Sequence, residues 1–119
     1  IVCDTGHNED GIKEIVNQLN NMAYKKLHMV IGVVNDKNIN VMLNLLPKDA
    51  AYYFTKASIP RALDADFLKE HAANYDLKGD AFLNVKSAFE AARRKAHKED
   101  VIFIGGSTFV VADLLQEIL

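Results

Sequence analysis

Apolar residues recur along this chain in two rhythms, and the two take turns. The runs Leu27-His28-Met29-Val30-Ile31-Gly32-Val33-Val34 and Val101-Ile102-Phe103-Ile104-Gly105 are nearly continuous, the pattern of strands covered on both faces. Ile1–Asp4, Ala50–Thr55 and Gly79–Leu83 are further strand candidates, the last diluted by Gly79 and Asp80. Between these runs the apolar residues fall at helical spacing. Ile12, Ile15, Val16, Leu19 and Met22 form one stripe of a helix from Glu9 to Met22. Ile39, Met42, Leu43 and Leu46 do the same from Asn38 to Leu46, and Pro47 fits a stop soon afterwards. A third helix runs from Asp64, a good N-cap, to Asn74. The fourth, Val85 to His97, has Asn84 as its cap and Val85, Ala88, Phe89 and Ala92 as its buried stripe. The last begins near Ser107 and runs to the chain end, with Val111, Leu114, Leu115 and Ile118 inward.

Strict alternation of strand and helix predicts an α/β fold: a three-layer α/β/α, Rossmann-like domain with a five-stranded parallel sheet. The 119 residues contain no internal repeat, no low-complexity stretch and no Gly/Ser-rich linker, so residues 1–119 read as one domain. With 50% hydrophobic and 25% charged residues, the chain can bury a real core. There is no initiator Met and the first residue already lies in a strand, which suggests a piece excised from a longer protein.

Charge narrows the function. The formal net charge is −2, and acids and bases are interspersed, which argues against a nucleic-acid partner. Arg93-Arg94-Lys95 with Lys98 is most simply the solvated face of a helix. No apolar run reaches the length of a membrane span, and no signal peptide precedes the fold. The single cysteine, Cys3, has no internal disulfide partner. It is expected to act as a small buried hydrophobe in the first strand, and the chain reads as cytoplasmic.

In an open α/β sheet, ligands bind outside the carboxyl ends of the strands. Asp4, His7 and Asn8 fall at such an end, just before an amphipathic helix. Asp4 is placed to accept hydrogen bonds from ribose hydroxyls or from backbone N–H groups of its own turn. His7 is placed to donate to an anionic oxygen or to brace the turn, and Asn8 reads first as an N-cap. His28, His71 and His97 read as structural or solvent-exposed. Gly105-Gly106-Ser107-Thr108 is a second strand-to-helix turn, where Ser107 can cap the helix or bind an anion. Gly32 with Asp36-Lys37 makes a third, and Ser58-Ile59-Pro60-Arg61 a fourth. Arg61 suits capture of a carboxylate, beside the plain reading of a surface arginine. No metal constellation, phosphate-binding loop or Gly-x-Gly-x-x-Gly is present.

Taken in order, these turns resemble one family. Asp4-Thr5-Gly6-His7-Asn8 resembles the Asp-Gly-Ala-His-Asn signature of folylpolyglutamate synthases and bifunctional dihydrofolate synthases, relatives of the Mur peptidoglycan ligases. Gly32-Val33-Val34-Asn35-Asp36-Lys37-Asn38 is similar to their Gly-x-x-x-Asp-Lys-Asp, Pro60-Arg61-Ala62-Leu63 to Pro-Arg-Ala-Leu, and Gly106-Ser107 before an apolar helix to Gly-Ser-x-x-x-Val. Thr5-Gly6 stands where the family has Gly-Ala, Glu9 where it has proline, and Asn38 where it has an acid; the role of Lys37 stays open.

The resemblance implies the C-terminal domain of an ATP-dependent ligase that joins L-glutamate to a folate or dihydropteroate through an acyl phosphate. ATP and Mg2+ would be bound mainly by the family's own N-terminal domain. His7 would be catalytic, Ser107 and Arg61 would bind substrate, and Asp4 and Asn8 would contact the nucleotide. The family places an antiparallel strand before the signature strand. Without it, the strand order is expected to be 1-5-2-3-4, with the first strand an open sheet edge. The alternative reading is a stand-alone α/β module that binds a nucleotide or another small anion without catalysis.

Overall fold

Strand and helix alternate throughout the computed structural model, which describes residues 2–3, 9–34, 39–106 and 108–118. The elements are β1 (Val2–Cys3), α1 (Glu9–Asn20), β2 (Leu27–Ile31), α2 (Ile39–Leu45), β3 (Ala51–Phe54), α3 (Ala65–Ala73), β4 (Gly79–Ala81), α4 (Val85–Lys95), β5 (Val101–Gly105) and α5 (Thr108–Ile118). The strands form one parallel sheet in the order β1-β5-β2-β3-β4. From β1 to β4 the chain steps across the sheet in one direction, and from β4 to β5 it returns. Right-handed crossovers in opposite directions put their helices on opposite faces. Accordingly α1, α2 and α3 cover one face and α4 and α5 the other.

Each strand feeds both layers because its side chains alternate. Leu27, Met29 and Ile31 of β2, Tyr52 and Phe54 of β3, and Phe103 of β5 pack under α1–α3 with Ile12, Ile15, Leu19, Leu43 and Leu68. Val30, Tyr53, Ile102 and Ile104 face α4 and α5, against Ala88, Phe89, Ala92, Val110 and Leu114. The two predicted caps are present. The Asp64 side chain accepts from the Phe67 N–H, and Asn84 forms a capping box with Ser87.

Several expectations are corrected. Met22 lies two residues past the end of α1, where the helical phase no longer applies, and is 40% exposed. Leu115 is exposed because Val111 and Leu114 already occupy the inner stripe of α5. Cys3 is exposed rather than buried: among the described residues β1 pairs only with β5, so it is an edge strand. The Asn8 cap, the Asn38 and Ser107 helix starts and the Ile118 side chain lie outside the described residues. β2 stops at Ile31 instead of Val34, because Val34 turns to form an antiparallel bridge with Ala62. Among the described residues no helix is long and apolar enough to cross a membrane.

One buried polar network ties the amino ends of the central strands. His28, 1% exposed, lies 2.8 Å from the Tyr53 hydroxyl through Nδ1 and 2.9 Å from Asp100 Oδ2 through Nε2. A carboxylate only accepts, so Nε2–H donates to Asp100; with the ring neutral, Nδ1 is then the acceptor for the Tyr53 hydroxyl. Burial, followed by the nearby Asp100 and Asp80 charges, raises the Tyr53 pKa and keeps its hydroxyl protonated. Asp100 Oδ2 also accepts the His97 N–H at 2.9 Å. That bond, then the one from His28, holds the Asp100 carboxyl below its ordinary range.

A lowered folded-state pKa contributes stability above the unfolded value, about 4, and the contribution is lost as pH falls through the folded value. Urea midpoints of the wild type and Asp100→Asn should therefore differ at neutral pH and converge as pH falls below about 4. A constant difference from neutral to acid pH would mean that the carboxylate charge plays no part.

Candidate functional site

The carboxyl ends of β1, β5, β2 and β3 line one edge of the sheet. Their last paired residues are in register: Cys3 opposite Ile104, Ile31 opposite Gly105, and Ile31 opposite Phe54. The turns that follow therefore leave the sheet side by side. Gly32 N–H donates to Gly105 O at 3.3 Å, Thr55 N–H to Ile31 O at 2.9 Å, and Leu63 N–H to Val33 O at 2.8 Å. These bonds draw the loop after β3 over the end of β2.

Two glycines make this edge possible. A Cβ on Gly32 would stand 2.8 Å from Val110 Cγ2 and 2.9 Å from Thr55 O. Gly106 has φ +95°, the left-handed region that glycine tolerates, and a Cβ there would stand 2.5 Å from Gly32 O. The edge between β2 and β5 is thus almost pure backbone. α5 begins at Thr108, two residues beyond Gly106, so the positive end of its helix dipole lies at the same edge and favours an anion.

Of the residues singled out in the sequence, Arg61 is described. It is exposed in the loop after β3, next to Ala62, whose backbone bridges to Val34. Arg61 thus stands beside the end of β2. Asp4, His7, Asn8, Lys37 and Ser107 lie outside the described residues. Their flanking residues converge: Cys3 precedes Asp4, and Gly106 precedes Ser107, at the ends of the adjacent strands β1 and β5.

Sequence reasoning missed Thr55. Its hydroxyl is fully buried at the end of β3 and has no hydrogen-bond partner among the described residues. A threonine closing an apolar strand was the available signal, but strand threonines are common. It also missed the brace between Ser58 and Asp113. The Ser58 N–H donates to Asp113 Oδ2 at 2.7 Å and its hydroxyl to Oδ1 at 2.9 Å, tying the loop after β3 to α5. Among the described residues no group of three or more His, Cys, Asp or Glu side chains could hold a metal ion.

Residues 1–108 match the family model described as Mur ligase, glutamate ligase domain. A probable bifunctional folylpolyglutamate synthase/dihydropteroate synthase of Haloferax volcanii is 32% identical over 116 residues, covering 95% of this chain and 14% of the relative. The dihydrofolate synthase/folylpolyglutamate synthase of Escherichia coli is 28% identical over 120 residues, covering 99% of this chain and 28% of the relative. The chain therefore spans only a minor part of the curated relatives it matches. Among solved structures, Escherichia coli FolC in complex with DHPP and ADP superposes with a TM-score of 0.86 at 27% identity. That match covers 97% of this chain and 27% of the FolC chain. A Yersinia pestis bifunctional folylpolyglutamate synthase/dihydrofolate synthase complexed with AMPPNP and Mn gives 0.85 at 27% identity, again over 97% and 27%.

Proposed function

Because this chain belongs to the Mur ligase, glutamate ligase domain family, we propose that it is the C-terminal domain of an ATP-dependent folate:L-glutamate ligase, a folylpolyglutamate synthase with or without dihydrofolate synthase activity. The observation that supports this reading most directly is the convergence at one sheet edge. The turns carrying the four family-like motifs follow strand ends that are in register.

In this reading the ligase activates a folate or dihydropteroate carboxylate as an acyl phosphate, which the amine of L-glutamate attacks. His7 donates to an oxygen whose charge changes in that step. Ser107, at the start of α5, and Arg61, in the loop over β2, hold carboxylates of the incoming glutamate or of the folate. Asp4 and Asn8 face the nucleotide. The described residues offer no cluster suited to a divalent ion. We therefore assign Mg2+ and the nucleotide phosphates mainly to an N-terminal domain elsewhere in the ligase, and route no step of this chain's own chemistry through the metal.

The test is phosphate release and glutamate incorporation with ATP, Mg2+, L-glutamate and a folate. The full-length ligase should turn over, and the 119-residue chain alone should not, since phosphoryl transfer depends on metal and positioned charges, and the described residues hold no group suited to the metal. Turnover by the chain alone would overturn the domain assignment. Nucleotide binding without turnover by the full-length protein would favour a non-catalytic binding module.

A further inference from the structure

On the α4/α5 side of the ligand edge, a cleft of about 400 Å3 opens between the loop after β3, the first turn of α4 and the middle of α5. That is ligand-sized, and it lies at the carboxyl end of the sheet, next to the loop that carries Arg61. Its walls are held in place. Asp113 is clamped by both donors of Ser58, and the Asn84/Ser87 capping box fixes the opposite side. Ile59 and Pro60 give the cleft an apolar lining, and Leu83, 92% exposed, projects at its rim.

The charge of the cleft is unbalanced. Lys56 and Lys86 both line it, and among the described residues neither is paired with a carboxylate. Among the described residues the acid that lines it is Asp113, whose oxygens both accept from the neutral Ser58, so the lysines outnumber it two to one. Among the described residues no aromatic ring lines the cleft on which a base or pterin could stack. Two free ammonium groups over an apolar wall fit a flexible chain that carries several carboxylates separated by methylenes.

We propose that this cleft is a subsite for the γ-linked oligoglutamate tail of a folate that already bears several glutamates. The inference rests on the ligase reading and deepens it. An enzyme that adds glutamate to its own product must accommodate an anionic tail that grows with each addition. In this arrangement the tail runs from the strand ends past Pro60 and lies across Lys56 and Lys86.

Two measurements separate this subsite from the ligase reading. In the first, γ-linked tetraglutamate and free glutamate are titrated into the 119-residue chain and followed by amide NMR. Tetraglutamate should shift Ala57, Ser58, Val85 and Lys86, with free glutamate far weaker. Lys56→Gln/Lys86→Gln should weaken tetraglutamate binding about tenfold, the scale of losing two exposed charge contacts, and added salt should weaken it too. Absent shifts, or shifts confined to other surfaces, would overturn the subsite whether or not the full-length protein is a ligase.

In the second, the double variant of the full-length ligase should raise KM for a tetraglutamyl folate about tenfold relative to KM for the monoglutamyl form. An equal change for both substrates would sink the subsite while leaving the ligase intact. Absence of ligase turnover in the wild type would sink the ligase reading, and the NMR result would still decide the tail.

Discussion

Replacing His7 with alanine in the proposed full-length ligase should lower kcat/KM for glutamate roughly 100- to 1,000-fold, the scale of removing one hydrogen bond to an oxygen whose charge changes in the transition state, if His7 holds the proposed role. His7 follows β1 in the sequence, and β1 ends at the ligand-facing edge beside β5, where the ends of β5 and β2 carry Gly105, Gly106 and Gly32. Substitutions outside a core usually cost little, so the loss of folding stability is expected to be about 1 kcal/mol or less. Steady-state kinetics and thermal melts on the same preparation separate the two effects. Unchanged kcat/KM with a lowered melting temperature would reduce His7 to a turn brace.

The largest effect on stability should come from the opposite end of the sheet. His28→Ala empties a buried site, leaves the Tyr53 hydroxyl without its hydrogen-bond partner and removes a donor from Asp100. Deleting the shared partner of a buried network costs about 3 kcal/mol or more, against about 1 kcal/mol for a typical hydrogen bond. In a domain of this size that corresponds to a fall in melting temperature of roughly 10 °C or more. Tyr53→Phe, which removes one bond and keeps the ring, should cost about 1–2 kcal/mol. Because the network joins the amino ends of β2 and β5, the folded His28→Ala ligase should keep its wild-type KM for glutamate at low temperature. A urea-derived loss below about 1 kcal/mol would show that the network adds little to the fold. A raised KM in the folded variant would show that the network reaches the ligand edge.

The ligand edge and this structural network were unequally legible in the sequence. Strand-end motifs announce themselves because each is a local string: an apolar run, a glycine or acid, then a helix cap. Gly32, Gly106 and Arg61 were marked in this way, and the glycines prove to sit where a Cβ would strike Gly32 O, Thr55 O or Val110. His28 was marked only as a histidine near the start of a strand. Its partners lie 25 and 72 residues away, and nothing local distinguishes it from an exposed residue. The cleft is similar: Ser58 and Asp113 are 55 residues apart.

The sequence by itself determined the elements. The alternation of continuous apolar runs with helical stripes specified five strands, five helices and the caps at Asp64 and Asn84, because side-chain periodicity and capping act over a few residues. Tertiary structure decided what no short window contains. It placed β5 between β1 and β2, and so brought the turns after those strands to one edge. It exposed Cys3 by leaving β1 at the rim of the sheet, and it shortened β2 by turning Val34 toward Ala62. It buried His28 between Tyr53 and Asp100, and it formed the lysine-lined cleft from three separate segments. In a parallel sheet, neighbouring strands are joined by crossovers of a dozen residues or more, so the contacts that matter link positions far apart in the chain. Their partners are chosen by which arrangement buries both faces of the sheet, a property of the whole chain.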